Sequence, residues 1–212
     1  GVARSTRAKQ EWMILRSEEV EKLFIVTRPQ ITEQNVSQNR SKFVIEPLEP
    51  GFGYTLGNTL RRTLLSSIPG AAISSVRIEG VLHEFSTIPG VMEDVSDIVL
   101  NLKEVRLRLH ARGPKTLRLH TSGEGVLRAG DLVTDDATVE IVNPDRKIAT
   151  LSPEADVDME VTVNSGKGYV PAEKNKTEDM PIGTIPIVAI FSPVQKVNYI
   201  VTPARVGRET DF

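Results

Sequence analysis

The sequence contains no cysteine, no long apolar run and no large excess of either charge. The absence of cysteine excludes disulfides, thiolate catalysis and cysteine-ligated metal sites. The longest nearly apolar stretch, 182–191, is far shorter than the roughly 20 residues of a membrane-spanning helix. The formal net charge of −2 does not suit a protein that coats nucleic acid, because such binding depends on a strong basic excess. We therefore expect a soluble intracellular protein.

The length of 212 residues suits one large domain or two small ones. Hydrophobic residues make up 39% of the chain and charged residues 25%, both ordinary for a globular protein with a core of its own. Residues 1–23 differ from the rest, because a basic stretch without acidic residues is followed by a segment of mixed charge. We expect this extension to be disordered or to form a short helix.

Hydrophobic periodicity predicts an α+β fold with many strands and few helices. Helices are predicted over 56–68, where Pro69-Gly70 ends the pattern, and over 91–103. The alternating segments 104–110 and 115–120, on either side of Arg112-Gly113-Pro114, predict a β-hairpin. The other predicted strands are 42–46, 71–85, 138–142, 147–151, 157–163 and 194–201.

Side chains that could carry chemistry are few and scattered. The three histidines are His83, His110 and His120. None has a partner at metal-ligand spacing, so a structural or exposed role is expected for each. The acidic pairs 93–94 and 135–136 are expected to be solvated or capping groups, since adjacent side chains point apart. Asp94 suits the positive end of a helix. We predict no catalytic residue, no metal site and no cofactor.

The glycine-rich run 51–57 invites comparison with phosphate-binding loops. A dinucleotide-binding loop needs glycine at its sixth position, where this chain has Leu56, and no Lys-Ser/Thr pair follows as in a P-loop. A tight turn that leads into a helix is the favoured interpretation. A nucleotide-binding enzyme that uses residues 51–57 is kept as an alternative.

The helix predicted after this run has two distinct faces. A broad apolar face, typical of a core or a partner helix, carries Phe52, Leu56, Leu60, Thr63, Leu64 and Ile68. The opposite side carries Asn58, Arg61, Arg62 and Leu65. A leucine beside two arginines suits a protein contact, because arginine combines apolar area with a forked donor. From the residues alone a solvated face is favoured, and a nucleic-acid contact is a third interpretation, weakened by the lack of neighbouring aromatic residues.

Several blocks of the sequence resemble the RNA polymerase alpha-subunit family of bacteria and plastids. They are LEPGFGYTLGNTLRRTLLSS over 48–67, GVLHEFST over 80–87, the pair 93–94 with 101–103, GKGYVPA over 166–172 and FSPV over 191–194. The blocks occur in the family's order between about 24 and 212. The first block is long and highly specific, so chance does not explain the resemblance.

The resemblance implies two subdomains and no catalysis by the chain itself. A discontinuous dimerisation subdomain would span 24–69 and 193–212, and a strand-rich inserted subdomain would span 70–192. The chain would form a homodimer that binds the beta and beta-prime subunits of DNA-directed RNA polymerase, and it would meet DNA only through the assembled enzyme. Such a protein works in the bacterial cytoplasm or the plastid stroma.

The family's contacts carry over to three sets of residues. The dimer interface would use Phe52, Leu56, Leu60 and Leu64. The beta contact would use Asn58, Arg61, Arg62 and Leu65. The beta-prime contact would use Lys103, Ile185, Ile187, Val188 and Phe191.

The chain departs from the family pattern at a few places. Lys167 stands where the family usually has arginine, and Val188 stands where aspartate is common. The stretch 206–211 also differs, which affects local contacts with beta-prime and the dimer edge. The family's long helix and C-terminal DNA-binding domain would follow Phe212 and are expected to be absent. A truncated regulatory or nonfunctional relative is therefore a second alternative.

Overall fold

The computed structural model describes residues 28–206 and 209–211. The predicted extension 1–23 lies outside these residues. The chain divides into two compact units: one contains the described residues up to Asn58 and those from Tyr199 onward, and the other is Thr59–Asn198. The subdomain limits implied by the family, 24–69 with 193–212 and 70–192, remain predictions.

The described elements are three α-helices and 14 strands, which confirms the predicted α+β class. The helices are α1 (Phe52–Ser66), α2 (Val95–Lys103) and α3 (Ala172–Asn175), and a 3-10 turn spans Ala129–Asp131. The strands are β1 (Gln30–Ser37), β2 (Arg40–Glu46), β3 (Pro69–Ile78), β4 (Leu107–Leu109), β5 (Lys115–Ser122), β6 (Gly125–Arg128), β7 (Val139–Ile141), β8 (Lys147–Leu151), β9 (Asp156–Lys167), β10 (Tyr169–Val170), β11 (Thr184–Pro186), β12 (Ala189–Ile190), β13 (Ala204–Val206) and β14 (Glu209–Asp211).

An antiparallel sheet organises the unit 59–198. Its strand order is β5-β9-β3-β4-β7, and β11 also pairs with β3. The long central strand β9 alternates buried and exposed residues, as a strand with one face on a core must. Its inward residues are Val157, Met159, Val161 and Val163, each at most 2% exposed.

Helix α2 packs against β8 and β3 and completes this core. Its apolar stripe of Val95, Ile98, Val99 and Leu102 is buried. The helix begins after Asp94, whose carboxylate accepts a hydrogen bond from the Asp97 amide at 2.8 Å, so the predicted capping role is confirmed. This cap explains why α2 begins four residues later than the predicted 91–103.

In the other unit, β1 and β2 form an antiparallel hairpin and β13 pairs with β14. No side chain in 28–58 or 199–203 is buried. The predicted strand 194–201 is wrong, because no regular structure occurs there and the nearest strand, β13, begins at Ala204. A short alternating pattern next to Pro193 and Pro203 is therefore not sufficient to make a strand.

The predicted hairpin between 104–110 and 115–120 is also wrong. Strand β4 pairs with β3 and β7, whereas all eight residues of β5 pair with β9. Alternation identifies the inward face of a strand but not its partner. The long strand β9 offers β5 a full-length ladder, which the three-residue β4 cannot.

Within the described residues, no helix is long and apolar enough to cross a membrane.

Candidate protein-interface surface

Helix α1 is amphipathic, but none of its 15 residues is buried. Phe52 is 49% exposed and Leu60 39% exposed, while Leu56 and Leu64 are half-buried. The four residues predicted for the dimer interface thus lie on one apolar stripe of a helix that keeps exposed area. Exposed apolar patches of this kind are typical of interaction sites, so the dimer contact remains a prediction for these four residues.

The helix begins directly in the glycine-rich run. Gly51 has a φ of +80°, and the Phe52 amide donates to the Glu49 carbonyl at 3.0 Å. The helix therefore starts four residues before the predicted 56–68. Because Phe52 is already helical, the predicted turn at this point is confined to residues before it.

Gly53 and Gly57 lie inside the helix and serve packing. A Cβ added to Gly53 would lie 2.9 Å from Val201 Cγ1, and one added to Gly57 would overlap the Tyr199 ring. The glycines let residues 199–201 cross the helix closely. The space beside them is filled by side chains, so the alternative of a phosphate-binding loop over 51–57 is not supported.

The other face of α1 carries two unpaired arginines. Asn58, Arg61 and Arg62 are exposed, and Leu65 is half-buried. Within the described part of the chain, neither arginine forms an ion pair. Their guanidinium groups are thus available to bind a carboxylate or backbone carbonyls of another protein in bidentate geometry.

The five residues predicted for the beta-prime contact differ in exposure. Ile185 is 5%, Ile187 0% and Phe191 5% exposed, so they have almost no surface to offer a partner. Val188 and Lys103 are half-buried. Three of the five side chains therefore hold the segment 184–191 in place, and only its other residues can present contact area.

Phe191 is buried in a slot formed by two glycines. A Cβ on Gly166 would lie 2.7 Å from the Phe191 ring, and one on Gly70 would overlap the Phe191 carbonyl oxygen. The Phe191 amide donates to the Gly168 carbonyl at 2.8 Å. With Ala72 and Ala189 this residue forms a second small core. The sequence resemblance placed Phe191 near a partner but gave no signal of this burial.

Sequence reasoning missed other exposed apolar residues. In the hairpin β1–β2, Ile31 is 68% and Phe43 57% exposed. In the unit 59–198, Tyr169 and Ile190 form a cross-strand pair between β10 and β12 and are 64% and 55% exposed. Alternation around 30–46 carried a signal for the hairpin, but no pattern in the sequence indicated that its apolar side chains lack cover.

The ionisable groups with shifted pKa values join loops to strands. Burial raises the pKa of the Glu93 carboxyl, but hydrogen bonds from Lys147 and Thr150 outweigh burial and hold that pKa below its usual value. Glu93 lies 2.8 Å from Lys147 Nζ and accepts from the Thr150 amide at 2.6 Å. A hydrogen bond from Lys115, with others from Thr138, lowers the pKa of Asp136.

The described residues hold no group of three or more His, Asp or Glu side chains that could bind a metal. All three histidines are exposed, in agreement with the sequence-based prediction.

The comparisons agree with one another. A family model described as the RNA polymerase Rpb3/RpoA insert domain matches residues 76–192. A protein named DNA-directed RNA polymerase subunit alpha from Symbiobacterium thermophilum is 58% identical over 187 residues, which cover 87% of this chain and 59% of that protein.

Two further relatives carry the same name. The protein from Desulfitobacterium hafniense is 57% identical over 189 residues, 88% of this chain and 60% of the relative. The one from Geobacter metallireducens is 56% identical over 183 residues, 86% of this chain and 54% of the relative. The chain thus spans a little over half the length of these relatives.

Proposed function

This chain belongs to the RNA polymerase Rpb3/RpoA insert-domain family, among the alpha subunits, and on that premise we propose that it is a scaffold of bacterial DNA-directed RNA polymerase. In this role it forms a homodimer that holds the beta and beta-prime subunits. It belongs to a nucleotidyltransferase complex in the bacterial cytoplasm but performs no chemistry itself.

One observation carries the scaffold role. Helix α1 combines an apolar stripe with a second face of free arginines, and none of its residues is buried. A helix of 15 residues gains most of its stability in a protein from packing rather than from propensity. A largely exposed helix with two faces of different chemistry therefore suits two different protein partners.

The apolar stripe is proposed for the dimer interface. Phe52, Leu56, Leu60 and Leu64 would pack against the same helix of a second copy, since a two-fold interface uses one patch twice. Tyr199 and Val201 already lie against Gly53 and Gly57 of the same chain. The first turns of the helix would thus offer chiefly Phe52 and Leu56 to the second copy.

The arginine face is proposed for the beta subunit. Arg62 is the anchor and Asn58, Arg61 and Leu65 surround it. Arginine is enriched among the residues that dominate binding energies at interfaces, because its stem packs while its fork donates several hydrogen bonds. The contact to beta-prime is proposed for Lys103 and for the segment that contains Val188, with Ile185, Ile187 and Phe191 supporting it from inside.

Reconstitution tests this function. The purified chain, mixed with beta and beta-prime subunits from the same organism, should yield a complex that contains two copies of the chain and one of each large subunit. The chain alone should neither synthesise RNA on a DNA template nor bind nucleotides. Template-dependent RNA synthesis by the chain alone would refute the proposal. So would failure to bind beta or failure to bind beta-prime.

A further inference from the structure

The segment 184–191 is held on the sheet at Ile187. This residue lies between β11, which pairs with β3, and β12, which pairs with β10. It is 0% exposed and belongs to neither strand. Its amide donates to the Ser74 carbonyl at 2.8 Å, and its carbonyl accepts from Asn175 Nδ2 at 2.7 Å. Both backbone polar groups of a buried residue are thus satisfied by dedicated partners.

Ser74 can accept this bond because it is the extra residue of a β-bulge. The register of β3 against β9 shifts between Ile73 and Ser75, which pair with Val163 and Thr162. A bulge residue leaves the ladder, so its carbonyl is free to bond elsewhere. The Ser74 side chain is itself fixed.

The hydroxyl of Ser74 donates to the Thr162 carbonyl at 3.2 Å and accepts from Asn164 Nδ2 at 2.7 Å. Ser74 is 2% exposed. The bulge therefore forms a fixed anchor, because the Ser74 carbonyl and hydroxyl are both hydrogen-bonded and little water reaches them.

Asn175 holds the carbonyl of Ile187, as Ser74 holds its amide. It is the last residue of α3, a single turn in which the Lys176 amide donates to the Ala172 carbonyl at 3.1 Å. We call Ser74, Asn175 and the Ile187 backbone the Ile187 clamp. Because Ile187 and Phe191 are both buried, only the residues between them can present surface to a partner. Val188 is half-buried and Ile190 is exposed.

We propose that Asn175 is a positioning residue for the beta-prime contact. Through the Ile187 clamp it holds 184–191 in the conformation that presents Val188 and Ile190. In this role Asn175 does not touch beta-prime but acts through the backbone of Ile187. The inference rests on the proposed function, because it assigns the segment to beta-prime.

The test replaces one donor without changing shape. Asn175→Asp keeps the side-chain volume but cannot donate to the Ile187 carbonyl when ionised. Asn143→Asp is the matched control, because Asn143 Nδ2 donates to the Glu104 carbonyl at 3.0 Å, a side-chain to backbone bond of the same type outside this segment. Amide hydrogen exchange of the chain alone and binding of purified beta and beta-prime subunits are measured for both variants.

For Asn175→Asp we expect amide exchange over 184–191 to accelerate at least tenfold and beta-prime affinity to fall at least tenfold, while beta affinity stays within twofold. Asn143→Asp should leave exchange over 184–191 unchanged, and it is the control for exchange alone, because its partner Glu104 adjoins Lys103, which is assigned to the beta-prime contact. Asn164→Ala, which removes the bond to Ser74, is the second variant and should give the same selective loss on a smaller scale.

Three results would overturn the proposal. Unchanged exchange over 184–191 in Asn175→Asp would refute the clamp. Faster exchange with normal beta-prime affinity would refute the positioning role. Loss of both beta and beta-prime binding in Asn175→Asp and in Asn164→Ala would show a general structural role instead. If the unmodified chain binds no beta-prime, the proposed function fails and the positioning role falls with it, whereas the exchange comparison still decides whether the clamp exists.

Discussion

Helices α1 and α2 are both amphipathic, yet they differ completely in burial. The stripe of α2 contains four buried residues and packs on β8 and β3, whereas α1 contains none. Helix α2 also has a side-chain cap at Asp94, while α1 has no acidic residue in its first turn. An apolar stripe therefore does not by itself indicate a core: α2 is covered by its own chain, and α1 is proposed to be covered by other subunits.

The hairpin β1–β2 extends this comparison. Its 15 residues are exposed except for Val44 and Ile45, which are half-buried. An isolated two-stranded hairpin is marginally stable in water. As for α1, we expect the hairpin to gain stability from a partner surface, whereas the sheet around β9 has its own core.

The largest effect on stability is expected when a leucine is truncated in α2, in contrast to the same truncation in α1. Leu102→Ala removes a fully buried side chain and should lower the free energy of unfolding by about 3 kcal/mol, since a cavity remains. Leu60→Ala removes a side chain that is 39% exposed and should cost less than about 1 kcal/mol in the dilute, isolated chain. Denaturant titration of both variants measures the difference, and equal losses would abolish the contrast between the helices.

Arginine truncation sharpens the contrast on the partner side. Arg62→Ala should leave folding and dimerisation nearly intact but lower beta affinity roughly a hundredfold, equivalent to about 3 kcal/mol. Arg61→Ala should lower the affinity less, because its helical position lies nearer the edge of the apolar stripe, where the main use of a long stem is to cover apolar area. Co-purification with beta compares the two variants. Normal capture of beta by Arg62→Ala would assign this residue to a solvated face, and unfolding would assign it to the core.

A smaller effect is expected where the chain crosses α1. Gly57→Ala should destabilise the packing of Tyr199 by about 1 kcal/mol, because the cost of the overlap exceeds the gain in helix propensity. Gly125→Ala is the control, since a Cβ there meets nothing within 4 Å. Fluorescence of the tyrosines and thermal unfolding report the change. A stabilised Gly57→Ala variant would show that the crossing is loose.

The smallest effect is expected in the stability of the chain at acidic pH, through the carboxyl group of Glu93. The folded-state pKa of Glu93 lies below its usual value of 4.5, so its contribution to stability is present above pH 4.5 and is lost as the pH falls through the folded-state pKa. Glu93→Gln should therefore flatten the pH dependence of stability below about pH 4.5. Unfolding midpoints between pH 3 and pH 6 test this. If the pH dependence of the unfolding midpoint is unchanged, Glu93 does not stabilise the loop before α2.

The sequence predicted much of the local structure and less of the pairing. The strand predicted at 147–151 coincides with β8, and α2 ends at Lys103 as expected, because local periodicity and end signals define such elements. The partners of β5 could not be predicted, since alternation carries no information about which strand lies alongside. The burial of Phe191 was equally invisible, because it depends on Gly70 and Gly166, which are distant in sequence.

The candidate surface was predicted unevenly for the same reason. The two faces of α1 follow from helical periodicity alone, whereas the assignment of Leu60 and Arg62 to partner contacts comes from the family resemblance and remains a prediction. The exposure of 184–191 depends on the bulge at Ser74 and on Asn175. A bulge leaves no clear mark in a single sequence, so the buried members of this segment could not be separated from the exposed ones.

The central claim is that α1 obtains its cover from other subunits. Hydrogen exchange of Phe52–Ser66 and of Val95–Lys103, measured in the isolated chain at low concentration and in the reconstituted polymerase, tests it most directly. We predict that α1 exchanges at least tenfold more slowly after assembly, while α2 is equally protected in both states. Equal protection of α1 before and after assembly would contradict it.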